Sequence, residues 1–159
     1  MPARYLPIYL NDHLTGATIG VELARRTRKE NDAGDLGELL DWLYGQLVED
    51  RDALVALIER LGLKPSRSKV AAGWTAEKLG RLKANGHVRS YSPLSRLLEL
   101  EGLASGIDGK RALWLSLREV ADRDARLEGP ELDRLIERAR DQRDRLEPHR
   151  LAAAAAALG

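Results

Sequence analysis

Two pairs of long amphipathic segments occupy most of this sequence, and a stretch from about residue 63 to residue 91 separates the pairs. Within each segment, apolar residues recur at the three- and four-residue spacing of one helix face. This spacing predicts four long helices, over about residues 8–29, 35–61, 93–126 and 130–157. Because a short turn joins the two helices of each pair, we expect each pair to form an antiparallel hairpin. The predicted fold is an all-α four-helix bundle.

The stretch between the two pairs is too long to be a turn between neighbouring helices. A shorter helical pattern over about residues 68–84 predicts one small helix within this connection. A crossover of roughly thirty residues can span the length of a bundle, so the second and third long helices are expected to run parallel. At 159 residues, the chain is expected to form a single domain.

Glycine and proline mark several predicted helix ends. Gly62 is expected to stop the second long helix, and Ser92 followed by Pro93 is a typical cap and first position for the third. Pro148 should kink or divide the fourth, because proline lacks an N–H and crowds the preceding turn. Whether the third helix is continuous is left open by the three glycines within it, Gly102, Gly106 and Gly109.

Composition excludes several classes of function. Cysteine is absent, so disulfides, thiolate metal ligands and cysteine nucleophiles are excluded. Lys and Arg total 26 against 25 Asp and Glu, and both signs are mixed in each half, so we expect neither nucleic acid nor a membrane as partner. A polar Asn11-Asp12-His13 comes too early for a signal peptide. We therefore expect a cytoplasmic protein.

A few polar residues fall on the apolar faces that should form the core. His13 and Asp50 lie at nearly the same height once the first hairpin is folded, and Arg143 lies near the centre of the last apolar stripe. A buried charge without a partner costs several kcal/mol, so these groups must find partners. We expect a structural polar layer of His13, Asp50, Arg143 and Asp108. The alternative is a metal site formed by His13, Asp50, Glu101 and Asp108.

The third long helix has apolar residues on two sides, and the second side needs a cover. We expect the crossover helix to lie there and to bring together the three tryptophans, Trp42, Trp74 and Trp114. Gly109 is followed by Lys110, but no strand precedes this pair and no Ser or Thr follows it. The pair is therefore not interpreted as part of a phosphate-binding loop.

Two helix hairpins joined by a long crossover resemble the ferritin-like superfamily. That resemblance implies a carboxylate on the first and third long helices and Glu-x-x-His on the second and fourth, which together bind two metal ions. The sequence departs from this motif at every candidate position. Glu49 and Asp50 are followed at the third place by Asp52 and Ala53, Glu137 by Arg140, and Glu147 by Arg150. No family ligand is therefore assigned to this chain.

The sequence favours a non-catalytic, ferritin-like bundle with a structural or protein-interaction role. A buried ion-pair layer would take the place of the metal site, and no cofactor is expected. A second copy of the chain or another protein is kept open as the partner. The alternative is a divergent ferritin-like protein that binds a small molecule or a metal, with iron or manganese as the candidate cofactor.

Overall fold

The computed structural model describes residues 4–66 and 90–159. These residues form four long α-helices: α1 (Leu6–Glu30), α2 (Gly34–Arg60), α3 (Pro93–Val120) and α4 (Gly129–Leu158). A single 3-10 turn, Ala121–Arg123, follows α3. The all-α class and the four long helices predicted from the sequence are confirmed. The small helix predicted over about residues 68–84 lies outside the described residues.

Local capping explains where two of the helices begin and end. The Ser92 hydroxyl accepts a hydrogen bond from the Ser95 N–H at 3.1 Å, and the Ser92 N–H donates to the Ser95 hydroxyl at 3.3 Å. At the end of α2, Gly62 takes a positive φ of 74° and its N–H donates to the Glu59 carbonyl. The predicted start at Ser92-Pro93 and the predicted stop at Gly62 are both confirmed.

The predicted end of α3 needs correction, and the structure answers two questions of continuity that the sequence leaves open. Helix α3 runs unbroken through its three glycines, and it ends at Val120 instead of about Arg126. Helix α4 is one element from Gly129 to Leu158, so Pro148 does not divide it. Pro148 is exposed, and water can replace the backbone hydrogen bond that the proline removes. At the other end of the chain, α1 begins at Leu6, slightly before the predicted start.

The apolar core consists of two clusters stacked along the bundle. The first cluster contains Leu40, Leu43, Leu100, Leu103 and Leu146, and it lies toward the α1–α2 turn. The second contains Leu10, Leu57, Ile58, Leu113 and Trp114. Between the clusters, the inward positions of the four helices are glycine, alanine or polar residues. This middle layer holds the candidate site.

Among the helices described here, none has an apolar stretch that is long enough to cross a membrane.

Candidate functional site

A buried polar cluster lies in the middle layer, and Asp50 of α2 is its centre. Asp50 is 2% exposed, and its Oδ2 accepts hydrogen bonds from Lys110 Nζ of α3 at 2.5 Å and from Gln142 Nε2 of α4 at 2.8 Å. Lys110 Nζ also donates to Gln142 Oε1 at 2.5 Å. The three side chains thus form a closed set of hydrogen bonds that joins three helices.

Arg138 adds a second positive charge to this cluster. Its Nη2 lies 3.0 Å from Asp50 Oδ1, without the alignment of a hydrogen bond. The same guanidinium donates to Glu49 Oε2 at 3.0 Å and to the Gln46 carbonyl at 3.3 Å. Arg138 is therefore shared between buried Asp50 and exposed Glu49. The carboxylate of Asp50 has two cationic neighbours.

Lys110 is mostly buried, and burial lowers its pKa. The negative charge of Asp50 opposes this effect, since it favours the ammonium form. An ammonium group has three N–H donors, and the bonds to Asp50 and Gln142 use two of them. The third donor has no acceptor among the described side chains.

A cavity of about 280 Å³ adjoins this cluster, between α1, α2 and α3. Four glycines help to form it, Gly16 and Gly20 from α1 and Gly106 and Gly109 from α3. A Cβ atom added at any of these glycines would meet no heavy atom within 4 Å. The absence of side chains at these positions therefore leaves the space open. The other residues that line the cavity are Asp12, His13, Ala17, Leu47, Asp50, Arg51, Leu54, Leu103, Ile107, Lys110, Leu113 and Trp114.

Trp114 lines this cavity, and it also holds an unused hydrogen-bond donor. The side chain is 1% exposed, and its indole Nε1 is buried without a hydrogen-bond partner in the described structure. A buried donor without an acceptor costs about 1–3 kcal/mol. Because Nε1 itself is inaccessible, Trp114 contributes ring surface to the cavity and not this N–H.

His13 also lines the cavity, and it is half-buried. Its ring packs edge-on against Tyr9, with the ring centroids 4.7 Å apart. Burial lowers the pKa of His13, and nearby Asp12 partly opposes this shift. Since the unperturbed pKa of histidine is about 6.5, a lowered value keeps this imidazole neutral at pH 7.

The structure divides the predicted polar layer into two places. His13 and Asp50 line the same cavity, but Asp50 bonds to Lys110 and Gln142, not to His13, among the residues described. Arg143 Nε donates to Asp108 Oδ2 at 3.3 Å, and Asp108 is 60% exposed. Arg143 and Asp108 thus form a separate pair near the surface and share no recorded bond with Asp50.

The remaining carboxylate of the alternative metal site, Glu101, is also exposed, and its Oε1 lies 3.7 Å from Arg150 Nη1. Arg150 donates to Glu147 as well, and so does Arg143. The hydrogen bonds from Arg150 and Arg143 lower the pKa of Glu147 to about 2. Glu101, Asp108 and Glu147 therefore belong to a surface network of ion pairs along α3 and α4.

The two described tryptophans of the predicted crossover packing lie in different parts of the core. Trp114 belongs to the cluster that contains Leu113, whereas Trp42 packs against the other cluster and lies under the guanidinium of Arg145, at 4.5 Å from the ring centroid. These two tryptophans are not brought together. Trp74 lies outside the described residues.

A second buried polar network lies where α1 meets the start of α3. Glu99 is 1% exposed, and its Oε2 accepts a hydrogen bond from the Tyr91 hydroxyl at 3.1 Å. Asn31 Nδ2 donates to the same hydroxyl at 2.8 Å, and Arg96 Nε donates to Asn31 Oδ1 at 2.7 Å. Burial raises the pKa of Tyr91 to about 12 and also raises the pKa of Glu99.

Sequence reasoning missed Lys110 and Gln142, although a signal for both was present. Lys110 continues the apolar series Leu103, Ile107 and Trp114, and Gln142 continues the series Leu135, Ala139 and Leu146. A polar residue at the core-facing position of such a series is expected to be buried. Arg143, which the sequence analysis places in the polar layer, lies one position after Gln142 and is half-buried.

Across residues 4–66 and 90–159, no group of three or more His, Asp or Glu side chains is placed to hold a metal ion. Protein-family models, curated proteins and solved structures were compared with the chain, and none of them matches it.

Proposed function

We propose that this protein is a ferritin-like helical bundle that binds a small organic molecule without catalysing a reaction. The observation that carries the proposal is the cavity of about 280 Å³, whose wall is mostly apolar and includes Trp114. Ligand cavities are typically about 300–1,000 Å³, mostly apolar, and carry a few polar groups that orient the ligand. The volume here lies just below that range. The proposed ligand is therefore small and mostly apolar.

Contact registers support the ferritin-like arrangement with antiparallel hairpins. Arg26 of α1 approaches Glu99 of α3, and Asn31, which follows α1 directly, bonds to Arg96 of α3. Residue numbers therefore increase along α1 as they decrease along α3, which is the order of an antiparallel pair. On α2 and α4, the pairs Arg60–Glu131 and Glu49–Arg138 show the same inverse order. With short turns between α1 and α2 and between α3 and α4, these registers favour a bundle in which α2 and α3 run parallel.

The ion pairs of the three candidate carboxylates favour an organic ligand over the alternative of iron or manganese. Asp50 already faces Lys110 and Arg138, Asp108 pairs with Arg143, and Glu101 lies near Arg150. A metal ion would have to compete with these cations for every carboxylate of the alternative site. An apolar molecule in the cavity needs none of those carboxylates.

Acetophenone is a suitable probe, because it has an apolar ring and one neutral acceptor oxygen. We expect it to move the Trp114 indole N–H signal in a nitrogen–proton correlation spectrum of the full chain, with the signal assigned from a Trp114→Phe variant. Gly20→Leu should fill part of the cavity and weaken this binding. Gly45→Leu is the matched control, because Gly45 also lies within a helix with open space around its Cβ but does not line the cavity.

The proposal is contradicted if saturating acetophenone leaves the Trp114 signal unmoved in folded protein. It is also contradicted if Gly20→Leu and Gly45→Leu bind the probe equally well. A homo-oligomer or another protein as partner and a cytoplasmic location stay predictions. Light scattering after size-exclusion chromatography would test the first of them.

A further inference from the structure

We infer that the small molecule bound in this cavity is neutral and carries a hydroxyl group, which donates a hydrogen bond to the imidazole of His13. This inference rests on the proposed function and names the chemical class of its ligand. Phenols, which join a hydroxyl group to an apolar ring, are the simplest members of this class. Two observations carry the inference. The charges that line the cavity are paired or exposed, and the nitrogens of His13 are accessible and have no partner among the described residues.

The charged residues that line the cavity favour a neutral ligand. Asp50 and Lys110 form an ion pair, in which Oδ2 and Nζ are 2.5 Å apart. Arg51 pairs with exposed Asp52, whose Oδ1 lies 3.2 Å from its Nη2. Asp12 is exposed, so water screens its charge. A charged ligand would therefore lose its hydration without gaining a buried counter-ion that lacks a partner. A neutral ligand does not incur this cost.

His13 is a polar residue of the cavity wall whose hydrogen-bonding atoms are open. It is half-buried, and neither nitrogen of its imidazole forms a hydrogen bond with a residue that the structure describes. Neither nitrogen is fully buried, unlike Nε1 of Trp114. Exposed Asp12 lines the same cavity, which therefore reaches the surface beside His13. A small molecule that enters on this side meets the imidazole near the mouth of the cavity.

The protonation state of His13 makes its side chain a hydrogen-bond acceptor. Burial lowers the pKa of His13, and Asp12 only partly opposes this shift, so the imidazole is neutral near pH 7. One nitrogen of a neutral imidazole carries a lone pair. A hydroxyl group can donate to that nitrogen, whereas a methyl group in the same place cannot. The ring of the ligand would then pack against apolar side chains of the wall, such as Leu54 and Leu113.

The probes p-cresol and p-xylene are matched, because they have nearly the same shape and differ by a hydroxyl group in place of a methyl group. Water solvates p-cresol better, so a cavity without a polar partner would bind p-xylene more tightly. With the bond to His13, we expect isothermal titration calorimetry on the wild-type chain to show the reverse order. The affinity for p-cresol should be at least about threefold higher. If p-xylene binds as tightly as p-cresol, or more tightly, the inference is overturned.

Two charged analogues of p-cresol, 4-methylbenzoate and 4-methylbenzylammonium, test the preference for a neutral ligand. We expect both to bind the wild-type chain at least about tenfold more weakly than p-cresol, because neither finds a buried counter-ion without a partner. A charged analogue that binds as tightly as p-cresol would show that the ligand is not selected for neutrality, and it would overturn that part of the inference.

The outcome also separates this inference from the proposed function. If p-xylene and acetophenone bind and p-cresol binds no more tightly, the cavity binds small molecules but the hydroxyl group is wrong. If none of these probes binds folded protein, the proposed function fails together with the inference. The comparison uses only wild-type protein, so it does not depend on the folding of a variant.

The variant His13→Leu then tests the residue that confers the preference. We expect it to lose the preference for p-cresol while it still binds p-xylene. His149→Leu is the matched control, since His149 is also half-buried within a helix but does not line the cavity. An unchanged preference for p-cresol in folded His13→Leu would contradict the role of the imidazole. Asp12→Asn should keep the preference, and its loss there would assign the hydroxyl group to Asp12 instead.

The affinity for p-cresol should also depend on pH. A protonated imidazole has two donors and no acceptor, so p-cresol should bind wild-type protein more weakly below about pH 6.5, whereas p-xylene should be unaffected. The other charged groups that line the cavity are Asp12, Asp50, Arg51 and Lys110, and His13→Leu keeps all four. If folded His13→Leu shows the same pH dependence, one of these groups causes it and the inference is contradicted.

Discussion

Replacing Asp50 with alanine should be one of the most destabilising single substitutions in this bundle. Asp50 is the acceptor for Lys110 and for Gln142, which is 0% exposed. Without it, the Gln142 amide loses a partner in the core, which costs about 1–3 kcal/mol. Lys110 would also keep a buried charge with no anion beside it. Removing one partner of a buried ion pair typically costs about 3–5 kcal/mol.

The expected loss for Asp50→Ala is therefore about 3–5 kcal/mol in the free energy of unfolding. Arg138 adds little to this figure, because it is partly exposed and keeps Glu49 and the Gln46 carbonyl. Urea unfolding followed by circular dichroism measures the difference. Asp52→Ala is the control on the same helix, because Asp52 is 64% exposed and its pair with Arg51 should contribute less than about 1 kcal/mol.

The size of this loss should depend on pH. Asp50 favours the ammonium form of Lys110, so its removal lowers the lysine pKa further below the unfolded value. Between the folded and unfolded pKa values, the unfolded chain binds the additional proton, and stability rises with pH. The deficit of Asp50→Ala should thus shrink as pH increases toward the unfolded lysine pKa.

Two outcomes would refute this reasoning. The first is a loss below about 1 kcal/mol for Asp50→Ala at neutral pH, which is the range of an exposed ion pair. The second comes from the double variant Asp50→Leu with Lys110→Met, which removes both charges. Replacing a buried pair with apolar residues is often neutral, so the double variant should be more stable than Asp50→Ala. A double variant that is less stable than Asp50→Ala would show that the unpaired charge of Lys110 is not the main cause of the loss.

The remaining predictions concern helix glycines and the second buried network. Gly45→Ala should raise the free energy of unfolding by about 0.5–1 kcal/mol, because its Cβ meets no atom within 4 Å and alanine favours helix. Gly37→Ala should instead destabilise the protein, because its Cβ would lie 2.7 Å from the carbonyl carbon of Asp32. Urea unfolding measures both changes. Equal effects of the two substitutions would contradict the steric reasoning. Burial raises the pKa of Glu99, so the wild type loses stability as pH increases through that folded pKa. Glu99→Gln has no carboxyl group at this position and should therefore gain stability relative to the wild type as pH rises. Unfolding measured across acidic to neutral pH should show this trend, and a difference independent of pH would refute it.

The helices were predictable because each of them has a strong periodic signal. Ser92 and Gly62 mark their helix ends through local hydrogen bonds, and local signals of this kind can be read from the sequence. The weaker predictions concerned Pro148 and the end of α3. At these places the outcome depends on solvent access and on packing between helices, which the local sequence does not report.

The candidate site was harder to predict, because its partners come from different helices. Asp50 was identified as an inward residue, but its bonds to Lys110 and Gln142 span sequence separations of 60 and 92 residues. The sequence analysis places Arg143 near the centre of the last apolar stripe, whereas the core-facing position is that of its neighbour Gln142. The cavity depends on four glycines that come together only when α1 packs against α3.

The two buried networks have a consequence for how the helices can slide past one another. One joins α2, α3 and α4 through Asp50, and the other joins α1 to the start of α3 through Asn31. Leucine-rich surfaces tolerate a shift of one helical turn, about 5.4 Å, because similar side chains replace each other. Polar partners do not tolerate this shift, because it would separate the buried charged groups from the groups that neutralise them. These bonds therefore select one register of the bundle, at two separate levels along its axis.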